Sequence, residues 1–344
     1  MLLKNLKQQM LLPKEEYIIN QRVNIRGLDV LLLSFTIDKD KNRMWMMYEN
    51  KELLKDNFDN EYRKEFMTNR ERLLHSLEWN SRDKNFYIRE MEIQGQTVRF
   101  GSSISGPIDD MNKERLMQLQ HFTENGLIFD EWDDAKLESL VIAEYTQRDG
   151  DVAPSISSAE ELSVVLHISK SSREVAIQRP FKVKFGKQKV GTKVTYYDDT
   201  LGTDNYFFIN EICSYDIYED VVKKAEQIED TNTREKMLKH FNEAMESICP
   251  RDKKLLVIRY ETVDNIQLKF MMRNYLEAKP VYNSSASAIG FIGKSDETGI
   301  NGYKLRECML RPVDKDFDGE LEVELFTRFL EIPEEIVGSF VRKE

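Results

Sequence analysis

Glycine and proline supply only 23 of the 344 residues, about 7% where roughly 12% is average. A chain with so few residues suited to sharp turns is confined to long regular elements and few tight loops. The same scarcity speaks against folds that depend on several glycine-rich cofactor loops. The length predicts two domains and is ample to bury a core without disulfide or metal staples. With 18 Phe, 14 Tyr and 14 Met, and 40% hydrophobic residues overall, the chain has the apolar content that disordered chains lack.

Residues 28–37 and 43–49 are apolar and flank a polar loop, which is the pattern of a hairpin. From Lys51 to Leu77, apolar residues recur at three- and four-residue steps and predict one or two amphipathic helices. Strand character returns over 85–100. The stretch Gly101-Ser102-Ser103-Ile104-Ser105-Gly106-Pro107 then reads as a loop into a helix near 108–122, with another helix expected over 133–147. Residues 148–155 form the best linker candidate. Strands are expected at 162–169, 174–186, 190–197 and 206–213, a helical region at 217–248, four or five more strands across 254–331, and a short helix from Pro333. The expected fold class is α+β in two domains, because strands arrive in blocks instead of alternating with helices. The first domain, 1–150, is a hairpin plus helices; the second, 156–344, is mainly antiparallel β with an inserted helical segment.

The chain carries 61 acidic and 50 basic side chains, a net charge of −11. Long-range repulsion makes general nucleic-acid binding an unfavoured function. The cysteines Cys213, Cys249 and Cys308 show no CxxC spacing, so reduced thiols in a reducing compartment are expected. No apolar run approaches the roughly 20 residues of a membrane-spanning helix, and the first residues show no signal-peptide hydrophobic region. The expectation is a cytoplasmic protein without membrane insertion.

Charge is unevenly placed. Between Lys170 and Lys193 lie eight basic residues and one acid, Glu174, a surplus of seven that leaves −18 on the rest of the chain. Lys182 and Lys184 alternate with Phe181, Val183 and Phe185, so both lysines share one face of a strand. With Lys187 and Lys189 they form a candidate site for an acidic or phosphate-bearing partner. The competing reading is an edge strand whose lysines prevent aggregation.

Two motifs resemble ligand loops. Asp314, Asp316 and Asp318, followed by Gly319, place oxygens at alternate positions as a calcium loop does. Glutamate is wanted six residues after that glycine, where Leu325 stands, and Asp318-Gly319 is also a strong hairpin turn. Ca²⁺ is therefore the one cofactor the sequence suggests, with a hairpin as its rival. Ala288-Ile289-Gly290-Phe291-Ile292-Gly293-Lys294-Ser295 satisfies a relaxed phosphate-loop pattern, yet a polar turn follows it where a helix is required. Nucleotide binding is not expected.

His75, His121, His167 and His240 are scattered, and no nucleophile, base and orienting residue can be grouped. The leading expectation is a non-catalytic binding or regulatory protein. Its rivals are a hydrolase, metal-dependent and using dispersed carboxylates, and a subunit of a larger assembly.

Overall fold

A computed structural model describes residues 2, 6–7, 9–38, 41–54, 66–82, 84, 86–128, 132–157, 162–281 and 294–339. Two compact units alternate along the chain: unit 1 comprises Met1–Lys64, Asn80–Ser171 and Glu331–Glu344, and unit 2 comprises Glu65–Trp79 and Ser172–Leu330. Strand accounts for 47% and helix for 23%. Helices among the described residues include α1 (Asn69–Arg82), α2 (Lys113–Glu124), α3 (Ile217–Ala225), α4 (Thr231–Ile248) and α5 (Arg273–Glu277). Among the described residues, no helix is long and apolar enough to cross a membrane.

Unit 1 is built on eight strands: β1 (Glu15–Ile25), β2 (Leu28–Ile37), β3 (Asn42–Glu49), β4 (Ile88–Ile93), β5 (Gln96–Pro107), β6 (Leu140–Gln147), β7 (Val164–Ile168) and β17 (Glu335–Ser339). They pair antiparallel in the order β1-β2-β3-β6-β5-β4-β7-β17, and the sheet nearly closes into a barrel. Two of its hairpins turn on Arg26-Gly27 and Gln94-Gly95, with φ of 51° and 82° and of 47° and 73°. Positive φ at both central residues matches the twist of the flanking strands, and glycine adopts it at no steric cost.

The unbroken apolar runs in β2 and β3 follow from burial on both faces. Val30, Leu32, Met44 and Met46 belong to one buried cluster, while Leu31, Leu33, Trp45 and Met47 belong to another that includes Phe122 of α2. Such strands lose the alternation of a half-buried sheet. Helix α2 starts at Asn112, whose side chain accepts a hydrogen bond from the Arg115 N–H, and its Phe122 ring lies 5.9 Å from Trp45.

This architecture corrects the α+β expectation for the N-terminal domain: that part of the chain is a barrel-like sheet, not a hairpin plus helices. Three segments account for the difference. The serine- and glycine-rich stretch after Phe100 continues β5, and Ser102 to Pro107 pair with β6 after a register shift at Gly101. Residues 101–105 are exposed, so pairing across the ladder, not apolar patterning, makes them a strand. Within 133–147, only Leu137–Ser139 is helical, as a 3-10 turn, and β6 follows. Leu140, Val141, Ile142 and Ala143 are all buried, a run in which helix and strand periods cannot be told apart. Beyond Pro333 the chain forms β17, which pairs with β7.

Unit 2 contains two sheets. Strands β10 (Lys193–Asp198), β11 (Thr203–Tyr215), β12 (Lys253–Thr262), β15 (Lys304–Asp314) and β14 (Lys294–Thr298) form one in that order, with β9 (Gly186–Lys187) added to β11. Strands β13 (Leu268–Met272), β16 (Glu320–Ile332) and β8 (Ser171–Lys184) form the other. One buried cluster draws on both sheets, among them Phe207, Ile258, Tyr260, Phe270, Leu310 and Val323. A smaller one, holding Ile217, Met245, Cys249 and Leu255, joins α3 and α4 to the base of β12.

Candidate functional site

The four candidate lysines do not share one environment. Lys182 projects from β8 to Glu322 at 3.1 Å and Glu320 at 3.7 Å on β16. Its hydrogen bond to Glu322, then the charges of both glutamates, raise its pKa. It is matched within the protein. Lys184, Lys187 and Lys189 follow on a short path around the edge of unit 2, are exposed, and have no carboxylate partner among the described residues. Backbone bonding holds this path. Gln188 Nε2 donates to the carbonyls of Lys184 and Gly186 at 2.7 and 2.9 Å, the Gln188 N–H donates to Asn210, and Thr192 Oγ1 closes the next turn on Lys189. The lysine backbones are thus positioned while their ammonium groups meet solvent.

Asp314 ends β15, opposite Lys253 on β12, and its carboxylate accepts from the Lys253 ammonium. Asp316 and Asp318 are exposed in the turn that leads to β16. Among the described residues, no group of three or more His, Cys, Asp or Glu is arranged to hold a metal ion. The phosphate-loop candidate lies outside the described residues from 288 to 293; Lys294 and Ser295 open β14.

The cross-strand pairing of Lys253 with Asp314 and of Lys254 with Val313 assembles a feature the sequence reading missed. Arg251, Lys253, Lys254 and Lys315 line a cleft of about 300 Å³ whose remaining walls include Tyr218, Ile217, Cys249 and Leu255. The Arg251 guanidinium lies 4.5 Å from the centre of the Tyr218 ring and donates to Asn242 Oδ1 at 3.1 Å. Lys254 donates to the Phe317 carbonyl at 2.8 Å and sits 4.6 Å over the Phe185 ring. Asp216 is the single carboxylate in the lining, and its Oδ1 is occupied by the N–H groups of Tyr218 and Glu219. The visible signal was Arg251, Lys253 and Lys254 after Pro250, interrupted by Asp252. Its union with Lys315, more than 60 residues on, depends on strand pairing.

Groups suited to covalent or proton-transfer chemistry are otherwise arranged. Burial raises the pKa of Cys213 and Cys249 and pushes Cys308 up to about 11, opposite to the shift a nucleophilic thiol needs. In unit 1, Ser34 donates to one oxygen of Glu16 at 2.6 Å and His121 meets the other at 2.8 Å. The carboxylate stands between serine and histidine, so the imidazole does not reach the hydroxyl it would have to deprotonate. Burial raises Glu144 and lowers Arg115. Glu144 lies 3.8 Å from Arg43 on the adjacent β3.

No protein-family model matches the chain, and neither a curated protein nor a solved structure matches it.

Proposed function

We propose that the protein is a non-catalytic binding protein that docks an acidic segment of a partner protein on the Lys184–Lys189 edge of unit 2. The observation that carries this reading is the contrast between Lys182, matched by Glu320 and Glu322, and Lys184, Lys187 and Lys189, which are exposed without a carboxylate partner among the described residues. Closely spaced unmatched charges on a held backbone attract an oppositely charged surface and orient it on approach. The raised thiol pKa values and the Ser34–Glu16–His121 order support binding over catalysis. Three free thiols support action in the reducing cytoplasm.

The test is fluorescence-anisotropy titration of a glutamate-rich peptide against the full chain. The triple variant Lys184→Glu, Lys187→Glu, Lys189→Glu is expected to lose about tenfold or more in affinity, roughly 1.4 kcal/mol, without a change in melting temperature. Lys182→Gln is expected to bind as the wild type does. Equal affinity in the triple variant and the wild type overturns the reading.

A further inference from the structure

The second half of β5 has one open side. Gln96 to Arg99 pair with β4, and Ser102 to Pro107 pair with β6. On the side away from β6, the Tyr87 hydroxyl donates to the Phe100 carbonyl at 2.9 Å, and no strand among the described residues pairs with Ser102 to Pro107 there. The Ile108 N–H donates to the Leu140 carbonyl at 2.9 Å, continuing the register that sets Pro107 opposite Val141. Backbone direction alternates along an antiparallel ladder, so Ser102, Ile104 and Gly106 bond to β6. Ser103 and Ser105 therefore turn both N–H and C=O outward. Pro107, which has no N–H to satisfy, turns its carbonyl outward.

Strand edges are normally guarded by charge, proline, a bulge or a covering group. The edge strand β8 of unit 2 shows such devices. It carries Lys182 and Pro180, a positive φ of 58° at Gln178, and Arg179, whose Nε donates to the Thr195 carbonyl at 3.0 Å. The open part of β5 has none of them before Pro107. Phe100 to Ile108 contains no charged residue, and residues 101–105 are exposed, Ile104 by 60%.

The open stretch is complementary to itself in one register. Two antiparallel copies related by a twofold axis at Ile104 set Ser103 opposite Ser105 of the second copy, and the reverse. These outward-facing residues then exchange N–H···O=C bonds on both sides of the axis. Ile104 meets Ile104 of the second copy at a non-hydrogen-bonded position, where Cα atoms stand about 4.5 Å apart and side chains are closest. A shift of two residues either way sets Ile104 opposite Ser102 or Gly106, which removes that apolar contact. Charge does not select the partner: both signs flank the stretch, Arg148 with Asp149 and Asp110 with Lys113, and Glu144 beside Ile104 lies 3.8 Å from Arg43. We propose that the open side of β5 pairs with β5 of a second copy, centred on Ile104, joining two copies through one continuous sheet. So short a ladder falls below the roughly 1,200 Å² of a stable interface, and two chains of net charge −11 repel at long range. The dimer is therefore weak and strengthens with added salt.

The test is sedimentation velocity of the full chain across about 10–300 µM, a range in which a weak interface becomes populated. The wild type is expected to pass from monomer to dimer. Ile104→Lys and Ile104→Glu each set like charges opposite one another and are expected to weaken association by about tenfold or more. An equimolar mixture of the two variants is expected to dimerise again, because unlike charges then face each other. Ser105→Pro removes an outward N–H, leaves the bonds to β6 in place, and is expected to weaken the dimer as well. Circular dichroism confirms that the variants fold. The ladder uses no residue of the Lys184–Lys189 edge, so Ile104→Lys is expected to bind the glutamate-rich peptide as the wild type does. A wild type that stays monomeric overturns the proposal. So does a dimer unaffected by Ile104→Lys or by Ser105→Pro, or a mixture of the two charged variants that stays monomeric.

Discussion

A β-carbon on Gly299 would stand 2.2 Å from both Cδ and Oε1 of Glu261. Glycine at 299 is therefore the condition for the Glu261 carboxylate to occupy its buried position. That carboxylate organises the turn ahead of β15. It accepts from the Asn301 N–H and Nδ2 at 3.0 Å each and from the Tyr303 N–H at 2.8 Å. Asn301 Oδ1 in turn accepts from the Gly191 N–H at 2.9 Å. One fully buried side chain thus ties together two loops of unit 2.

Gly299→Ala is expected to destabilise unit 2 by about 3 kcal/mol, because a forced methyl must displace a hydrogen-bonded carboxylate, not the end of a flexible chain. The cost should shrink in a Glu261→Ala background, where the obstructing atoms are gone. Urea denaturation of the two single variants and the double variant measures this coupling. Fully additive costs would show that the contact with Glu261 is not what requires glycine.

Glu261 also sets a pH dependence. Burial raises its pKa, but the donors from Asn301, Tyr303 and Asn210 outweigh burial, and the net shift is downward. A carboxyl whose folded pKa is depressed adds stability that is present above its unfolded value, near 4.3, and is lost as pH falls through the folded value. The stability gap between wild type and Glu261→Gln should therefore be largest at pH 7 and narrow progressively below about pH 4.3. Urea midpoints at pH 7 and pH 3 test it, and a pH-independent gap would refute the assignment.

How much of this was legible beforehand varies by element. The β2–β3 hairpin was readable because its apolar runs are bounded by a polar loop. The edge lysines were visible as a charge cluster, but the sequence could not separate Lys182 from Lys184, since Glu320 and Glu322 reach Lys182 from far along the chain. Residues 101–107 resisted for a different reason: exposed serines and glycines have no strand signature until β6 supplies their hydrogen-bond partners. The cleft and the Glu261 turn were hidden because their members converge only through antiparallel pairing.

Trp45 tests the burial of β3 on both faces. Its Nε1 donates to Thr36 Oγ1 at 2.9 Å, and both residues are buried. Thr36→Val keeps the volume and removes the acceptor, leaving the indole N–H unsatisfied. A loss of about 1–3 kcal/mol is expected, measurable by chemical denaturation. An unchanged stability would mean that the indole finds another acceptor.

The buried pair Asp198–Arg328 allows a sharper test. Asp198 is 0% and Arg328 2% exposed, and their side chains are in contact. Asp198 Oδ1 also accepts from the Thr200 and Leu201 N–H groups at 3.1 and 3.2 Å, so its position at the end of β10 is set locally. Arg328 comes from β16 in the other sheet of the unit. The two opposite charges are therefore enclosed together in the interior of the unit. Removing one partner of such a pair strands the other charge in the interior, at a cost of about 3–5 kcal/mol, whereas replacing both by neutral groups of similar volume is often close to neutral. Asp198→Asn retains the turn acceptor and Arg328→Met retains much of the length. Each single variant should be destabilised by about 3 kcal/mol or more, and the double variant should be more stable than either. If the double variant instead shows the sum of the two losses, the pair is not coupled and charge compensation is not what keeps it buried.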